Sequence, residues 1–423
     1  MKRLKILVLL AALSVAESWS QSGVYVGGHI RRERPGTIEK LRQSGFRYVI
    51  LFNVNVEADG TLTTDGETIC RDGQYVFDET QPHYADDVRL LKTAPTGIDR
   101  LEICIGGWGN QSYQNIRALV NSDGTGESSI LRRNFRALKE ALPDVEAVNN
   151  DDEHGYDAAS ATKFHVMMYD LGYRTTLAPY MNKTYWQQLT TALNRQRPGA
   201  CDRIMIQCYD GGAYNNPKDW HLADDIPLHA GRTNYQTDMQ TSVNQMQTWR
   251  DECQVEGGFV WIYNDETWSL QQWAVEMNRV FPKHADDGVV TCYAGRDYTG
   301  FTNVLPVGRY CVGELAAWGF APLGIGNVRI AEGYELTLFT GDNFTGTSRT
   351  YTDPEPALGA FRSRARSLII APTGQSGIMT MNNEQCTMNN EAYDLQGRRI
   401  DAARHRGLII TRDAQGRMRK SLR

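Results

Sequence analysis

The sequence predicts an α/β chain: a closed (β/α)8 barrel followed by a small all-β module and a short tail. Three observations predict it. Between residues 22 and 283, short apolar runs alternate with longer stretches whose apolar residues recur at helical spacing, the pattern of a parallel sheet covered by helices. The length of that region, about 260 residues, suits one such barrel. After residue 288 the helical spacing disappears, and Gly, Thr and short aromatic-rich runs take over.

The runs Val24–Gly27, Tyr48–Val56, Leu101–Gly107, Val145–Asp151, Arg174–Pro179, Ile204–Tyr209 and Phe259–Tyr263 read as strands, and a further strand fits near Ile226–His229. Between them, Gly36–Ser44, Ile130–Ala141, Ala158–Leu171 and Thr233–Asp251 read as helices. A doubly wound open sheet is the competing arrangement. No GxGxxG turn follows the first run, which argues against a dinucleotide-binding version.

Hydrophobic content of 41% and charged content of 22% are those of a globular chain, and a net charge of -5 gives no reason to expect a nucleic-acid partner. Nine Trp and twenty Tyr are more suggestive, because aromatic faces pack well on the C–H faces of sugars.

At the N-terminus, Lys2, Arg3 and Lys5 precede the apolar run Ile6–Leu13, followed by small residues at Ser14, Ala16, Ser18 and Ser20. This is the form of a secretory signal peptide, expected over residues 1–20 with cleavage after Ser20. No later segment approaches the ~20 apolar residues of a membrane span, so a secreted or cell-surface location is expected. Export would permit disulfides among Cys70, Cys104, Cys201, Cys208, Cys253, Cys292, Cys311 and Cys386, whose connectivity stays open; Cys104 and Cys208 fall inside strands as candidate buried thiols. No CxxC pair occurs and His is scarce near them, so no metal and no cofactor are expected.

Chemistry concentrates where the fourth run ends, in Glu146-Ala-Val-Asn149-Asn-Asp151-Asp-Glu153. Alternation along a strand sends Asn149, Asp151 and Glu153 to one face. In a barrel that face is the interior, and its C-terminal end opens into the mouth. Crowded carboxylates cannot all ionise cheaply, so one is expected to stay protonated as a general acid. An acidic loop solvated beyond the strand is the alternative.

Together with Ile103-Cys-Ile-Gly106-Gly107 on the third strand, Gln207-Cys-Tyr209-Asp210 on the sixth and Trp261 on the eighth, this segment resembles glycoside hydrolase family 18, the chitinases and endo-β-N-acetylglucosaminidases. Asp151 and Glu153 match the last two acidic positions of the family's DxxDxDxE motif, while Glu146 and Asn149 stand where it has aspartates. The Asp151-Asp152-Glu153 sequence is similar to the N-glycan-cleaving branch, so chitin and N-glycan cores are both candidate substrates.

The resemblance implies substrate-assisted retaining hydrolysis of N-acetylglucosamine-containing glycans. It implies Glu153 as general acid and base, Asp151 as the group orienting the acetamide, and Tyr209 with Asp210 holding it. Trp261 would be an apolar floor. Asn149, Gln207, Gly107 and Trp108 complete the expected binding site, with Gly106 and Gly107 allowing close backbone packing. An amide at Asn149 could donate to Asp151 but not take up a proton, so Asp151 is expected to ionise more readily and activity to fall. Trp108, Tyr113, Trp186, Tyr214 and Trp220 are candidate sugar platforms. A carbohydrate-binding protein that kept the pocket and lost turnover is the second reading.

The region 288–372 contains a repeat: Tyr293-Ala-Gly-Arg-Asp-Tyr-Thr-Gly300 and Phe339-Thr-Gly-Asp-Asn-Phe-Thr-Gly346. An aromatic followed by six residues and then a glycine suits a folded hairpin in which that glycine has a positive φ. The module resembles a βγ-crystallin domain of two Greek keys. Its stretches at Gly326-Asn327 and Ser363–Ser367 lack the paired oxygen ligands that calcium needs. The tail, 376–423, is basic and resembles C-terminal sorting segments of exported Bacteroidota proteins. The expected layout is 1–20, 21–283, 288–372 and 376–423, with oligomeric state unspecified.

Overall fold

The computed structural model describes residues 21–263 and 268–375, with the short strands Ala392–Tyr393, Arg399–Ile400, Leu408–Arg412 and Met418–Leu422. The expected leader, Cys386 and most of the expected tail lie outside the described residues.

Eight parallel strands form the barrel: β1 (Ser22–Val26), β2 (Tyr48–Val56), β3 (Arg100–Gly106), β4 (Val145–Asp151), β5 (Arg174–Leu177), β6 (Cys201–Gln207), β7 (Leu228–Thr233) and β8 (Gly257–Tyr263). The sheet closes on itself because β1 pairs with both β2 (Val24 opposite Val49) and β8 (Gly23 opposite Phe259). Strand β7 starts later than the sequence suggests; Pro227 has no N–H for the ladder, although its carbonyl accepts from Ile204 N at 3.0 Å. The helix expected from Thr233 begins instead at Met239, because Thr233 belongs to β7 and the Asp238 side chain caps the helix through Thr241 N. Ser129, Asp157 and Ser269 cap three other barrel helices in the same way. After β2, three short antiparallel strands (Leu62–Thr64, Glu67–Arg71, Gln74–Tyr75) extend the sheet beyond what periodicity indicated.

Alternation along the strands makes two cores. Outward residues such as Val24, Leu51, Ile103, Val148, Leu177, Ile206 and Val260 pack under the helices. Inward residues fill the barrel, including Tyr25, Tyr48, Ile50, Cys104, Met205 and Phe259. The seven described cysteines are buried, and Cys104 and Cys208 are free thiols among them. No helix among the described residues is long and apolar enough to cross a membrane.

The second module holds β9 (Val290–Tyr293), β10 (Thr302–Leu305), β11 (Gly308–Tyr310), β12 (Asn327–Ile330), β13 (Tyr334–Phe339), β14 (Ser348–Tyr351) and β15 (Ser367–Pro372). They form two antiparallel sheets, β10-β9-β12 and β11-β15-β13-β14, around a core that includes Val290, Cys292, Leu336, Leu338, Leu368 and Ile370. The two repeats fold alike. Gly295 N donates to Thr299 O at 2.8 Å and Gly341 N to Thr345 O at 3.0 Å; Gly300 and Gly346 have φ of 80° and 77°. Each leading ring packs edge-on against the sixth-position aromatic, Tyr293 on Tyr298 and Phe339 on Phe344. Arg366, inside the Ser363–Ser367 stretch, is held by both carboxylate oxygens of Asp342 at 3.0 Å.

One short helix, Val312–Ala317, interrupts the all-β pattern and seats this module on the barrel helices Gly36–Ser44 and Leu270–Val280. Asn278 is buried in that seam. Its Nδ2 donates to Gly45 O and Ala316 O, both at 2.9 Å, and its Oδ1 accepts from Ser22 Oγ at 2.6 Å. A Cβ on Gly313 would lie 2.1 Å from Arg42 O, so only glycine lets the backbones approach this closely.

Candidate active site

The C-terminal ends of the barrel strands surround a cavity of about 620 Å³ lined by Phe52, Gly107, Trp108, Asp151, Glu153, Tyr180, Gln207, Tyr209, Asp210, Gly211 and Trp261. Eight of the nine expected site residues are therefore brought together: Glu153, Asp151, Tyr209, Asp210, Gln207, Trp261, Gly107 and Trp108. Asn149 is the exception.

Asn149 lies fully buried below the cavity floor. Its Oδ1 accepts from Tyr25 Oη at 2.8 Å, and its Nδ2 donates to Thr176 Oγ1 at 2.9 Å. It does not line the binding site, and it is not the donor to Asp151. That donor is Gln207, whose Nε2 lies 2.9 Å from Asp151 Oδ1 and 3.0 Å from Ala178 O. Thr176 in turn donates to Glu102 Oε2 at 2.6 Å, and Glu102 Oε1 accepts from Arg100 (2.8 Å) and Arg203 (2.9 Å). A continuous polar chain thus fills the barrel from Tyr25 down to its floor.

Strand parity explains the acid pair. Asn149 and Asp151 face inward along β4, and Glu153 follows just past the strand end. The intervening Asp152 turns the chain: its carboxylate accepts backbone N–H bonds from His154 (3.2 Å), Gly155 (2.6 Å) and Tyr156 (2.8 Å). Asn150 faces outward to His165 at 3.0 Å. Burial pushes the His165 pKa down to about 3, so this ring is neutral.

Burial, and then the neighbouring charges of Glu153 and Asp152, push the Asp151 carboxyl well above the usual range. This corrects the expectation that Asp151 ionises more readily beside an amide: desolvation dominates, and Asn149 does not touch it. Glu153 is pushed up to about 7, mainly by burial, with Gln207 opposing and Asp152 and Asp210 adding to the rise. No cation ion-pairs with Asp151 or Glu153 among the described residues, so nothing there offsets the rise of either acid. Tyr209 is held protonated by burial and by the charge of Asp151, which keeps its hydroxyl a donor.

Two glycines let β3 and β4 meet here. Gly106 and Gly107 have φ of 111° and 104°, Gly107 N donates to Asp151 O at 2.7 Å, and a Cβ on Gly106 would sit 2.1 Å from that oxygen. The packing role expected of this pair is the one observed.

The aromatic wall is a set of edge-on contacts: Trp261 with Phe52 at 4.7 Å and with Tyr25 at 5.1 Å between ring centroids. Of the candidate platforms, Trp108 lines the cavity and Tyr214 is exposed, but Tyr113, Trp186 and Trp220 are buried. Tyr113 bonds His165 and the Trp186 indole donates to Met181 O, so neither ring face is open to a sugar. Phe52 and Tyr180 were missed. Inward parity from Ile50 at the end of β2 marks Phe52, and Tyr180 is the first aromatic after β5. Asp210, at a positive φ, is clamped by Tyr235 Oη (2.6 Å) and Gln236 Nε2 (2.6 Å) from beyond β7. No group of three His, Cys, Asp or Glu side chains among the described residues could hold a metal ion.

No protein-family model matches the chain, and no curated protein matches it. Its structural neighbours include βγ-crystallin domains. One from Flavobacterium johnsoniae is 28% identical, with 20% of this chain aligned to 97% of that one at a TM-score of 0.19. The N-terminal domain of protein S is 25% identical, with coverages of 20% and 97% and a TM-score of 0.20. A βγ-crystallin domain from Clostridium beijerinckii is 28% identical, with coverages of 19% and 95% and a TM-score of 0.19.

Proposed function

We propose that the barrel is a retaining glycosidase of N-acetylglucosamine-containing glycans that uses the substrate's own acetamide as nucleophile, the chemistry implied by its resemblance to glycoside hydrolase family 18. The observation that carries this reading is the acid pair. Asp151 and Glu153 share one aromatic-walled cavity, no cation among the described residues pairs with either, and Glu153 is pushed up to about 7.

In this reading Glu153 protonates the glycosidic oxygen as its bond to the anomeric carbon breaks. Asp151 is too deeply buried to attack that carbon as a protein nucleophile would. The acetamide oxygen attacks instead and forms an oxazolinium-like ring. Asp151, held by Gln207, hydrogen-bonds the acetamide N–H and orients it for attack. The Tyr209 hydroxyl donates to the acetamide oxygen, and Trp261 supports the sugar's apolar face. Glu153, now a carboxylate, takes a proton from water as that water adds to the anomeric carbon, restoring the acetamide and the configuration.

A lectin-like protein of the same fold is the second reading. Asn149 favours it, because its amide takes up no proton and both its ends are committed to Tyr25 and Thr176. Incubation with chitooligosaccharides and with an N-glycoprotein, products read by mass spectrometry, separates the two. Released oligosaccharide with retained anomeric configuration is expected. Binding without release from either substrate would leave the lectin reading.

A further inference from the structure

Among the described barrel residues, the exposed large hydrophobic side chains are Trp108 (81%), Met181 (44%), Tyr214 (101%) and Tyr235 (58%). All four follow the C-terminal ends of strands, β3, β5, β6 and β7 respectively. The apolar surface is therefore gathered on the rim that carries the acid pair, and not on the helices or the opposite end.

Tyr235 is no loose loop ring. Its hydroxyl donates to Asp210 Oδ2 at 2.6 Å. Gln236 holds the other Asp210 oxygen at 2.6 Å. An exposed aromatic is thus tied by its polar end to a cavity-lining residue, and ordering its face costs little when a ligand arrives. Trp108 is steadied in a similar way: it lies 5.4 Å from the His154 ring, and His154 Nε2 accepts from Gly109 N at 2.8 Å.

The order of strands sets where these rings stand. β3 and β7 are four strands apart in a ring of eight, so the loops that carry Trp108 and Tyr235 leave the rim on opposite sides of the mouth. We infer that Tyr235 is a second sugar platform opposite Trp108, which makes the mouth a groove for a glycan with residues on both sides of the cleaved bond. This rests on the glycosidase reading and adds chain-internal cleavage to it. Stacking of a sugar on a pre-ordered ring is worth about tenfold in affinity.

The test uses the full chain carrying Glu153→Gln, titrated calorimetrically with chitooligosaccharides of increasing length. Affinity should rise with length, and Tyr235→Ala should weaken the longer ligands about tenfold while leaving the disaccharide unchanged. Tyr235→Phe keeps the ring and removes its anchor, so it should lose less than Tyr235→Ala at an unchanged melting temperature. Equal affinity of Tyr235→Ala and its parent at every length would overturn the inference, as would a length dependence abolished by Trp108→Ala alone. Failure of the Glu153→Gln protein to bind any chitooligosaccharide or N-glycan would instead sink the glycosidase reading beneath it.

Discussion

The two ends of the barrel interior treat buried acids in opposite ways. At the floor, Glu102 is fully buried and meets Arg100, Arg203 and the Thr176 hydroxyl, while Arg203 also lies over the Tyr48 ring at 4.3 Å. At the mouth, Asp151 and Glu153 meet each other and the Gln207 amide, and both are pushed up. A buried carboxylate facing guanidinium groups is a structural element whose removal leaves a stranded charge. A buried carboxylate facing another carboxylate is a proton store, costly to the fold and useful to chemistry. The same barrel contains both, one stacked above the other, with Asn149 buried in the layer between them.

The sharpest way to break this contrast is at the mouth. Glu153→Gln should reduce glycan release by about 10²–10⁴-fold with the fold intact; release at the parent rate would remove Glu153 from its role. At the floor the effect should fall on stability. Arg203→Met should cost about 3–5 kcal/mol in urea unfolding, and a loss under ~1 kcal/mol would mean the floor is not a coupled ionic unit.

Asn149→Asp probes the layer between them. Asn149 donates to Thr176, whose own proton goes to Glu102, so an aspartic acid there must keep its proton to make the same bond. It would add an acid beneath Asp151, and the release rate should rise about tenfold, or ~1.4 kcal/mol of barrier. An unchanged or lower rate would show that the amide is no handicap.

The smallest effect is on pH. Glu153 has a folded value of about 7, above the ordinary carboxylate range, so ionising it favours the unfolded chain. Its contribution to stability is complete at pH values below that ordinary range and is lost as pH rises through 7. Glu153→Gln lacks this loss, so its advantage in melting temperature should widen between pH 5 and 8, on the order of 2–4 °C. A constant gap would contradict the raised value. Glycan release should also decline above pH 7, as the acid form of Glu153 disappears.

Strand order, barrel closure and most of the cavity were legible because period-2 alternation and strand-end position are local properties of the chain. Asp151 and Glu153 could be found from parity at the strand end, and Gln207 and Trp261 from the resemblance to glycoside hydrolase family 18. What parity could not give was depth. Asn149 shares the inward face with Asp151 but sits one layer lower, where its partners Tyr25 and Thr176 come from other strands. Nor could composition separate Trp108 from Trp186, since the difference lies in whether helix packing covers the ring. Tyr235 was invisible for a related reason: its link to Asp210 joins two loops that are neighbours only once the barrel closes.

The Asn278 amide has a practical consequence for anyone trimming the gene. A fragment cut at residue 283 would expose the face that Val312–Ala317 covers and leave half of this side chain's donor capacity without Ala316 O. The smallest self-sufficient piece that carries the barrel therefore extends past Gly319, whose carbonyl also accepts from Arg279 at 3.1 Å. Residues assigned by sequence to the second module belong, by their hydrogen bonds, to the footing of the first.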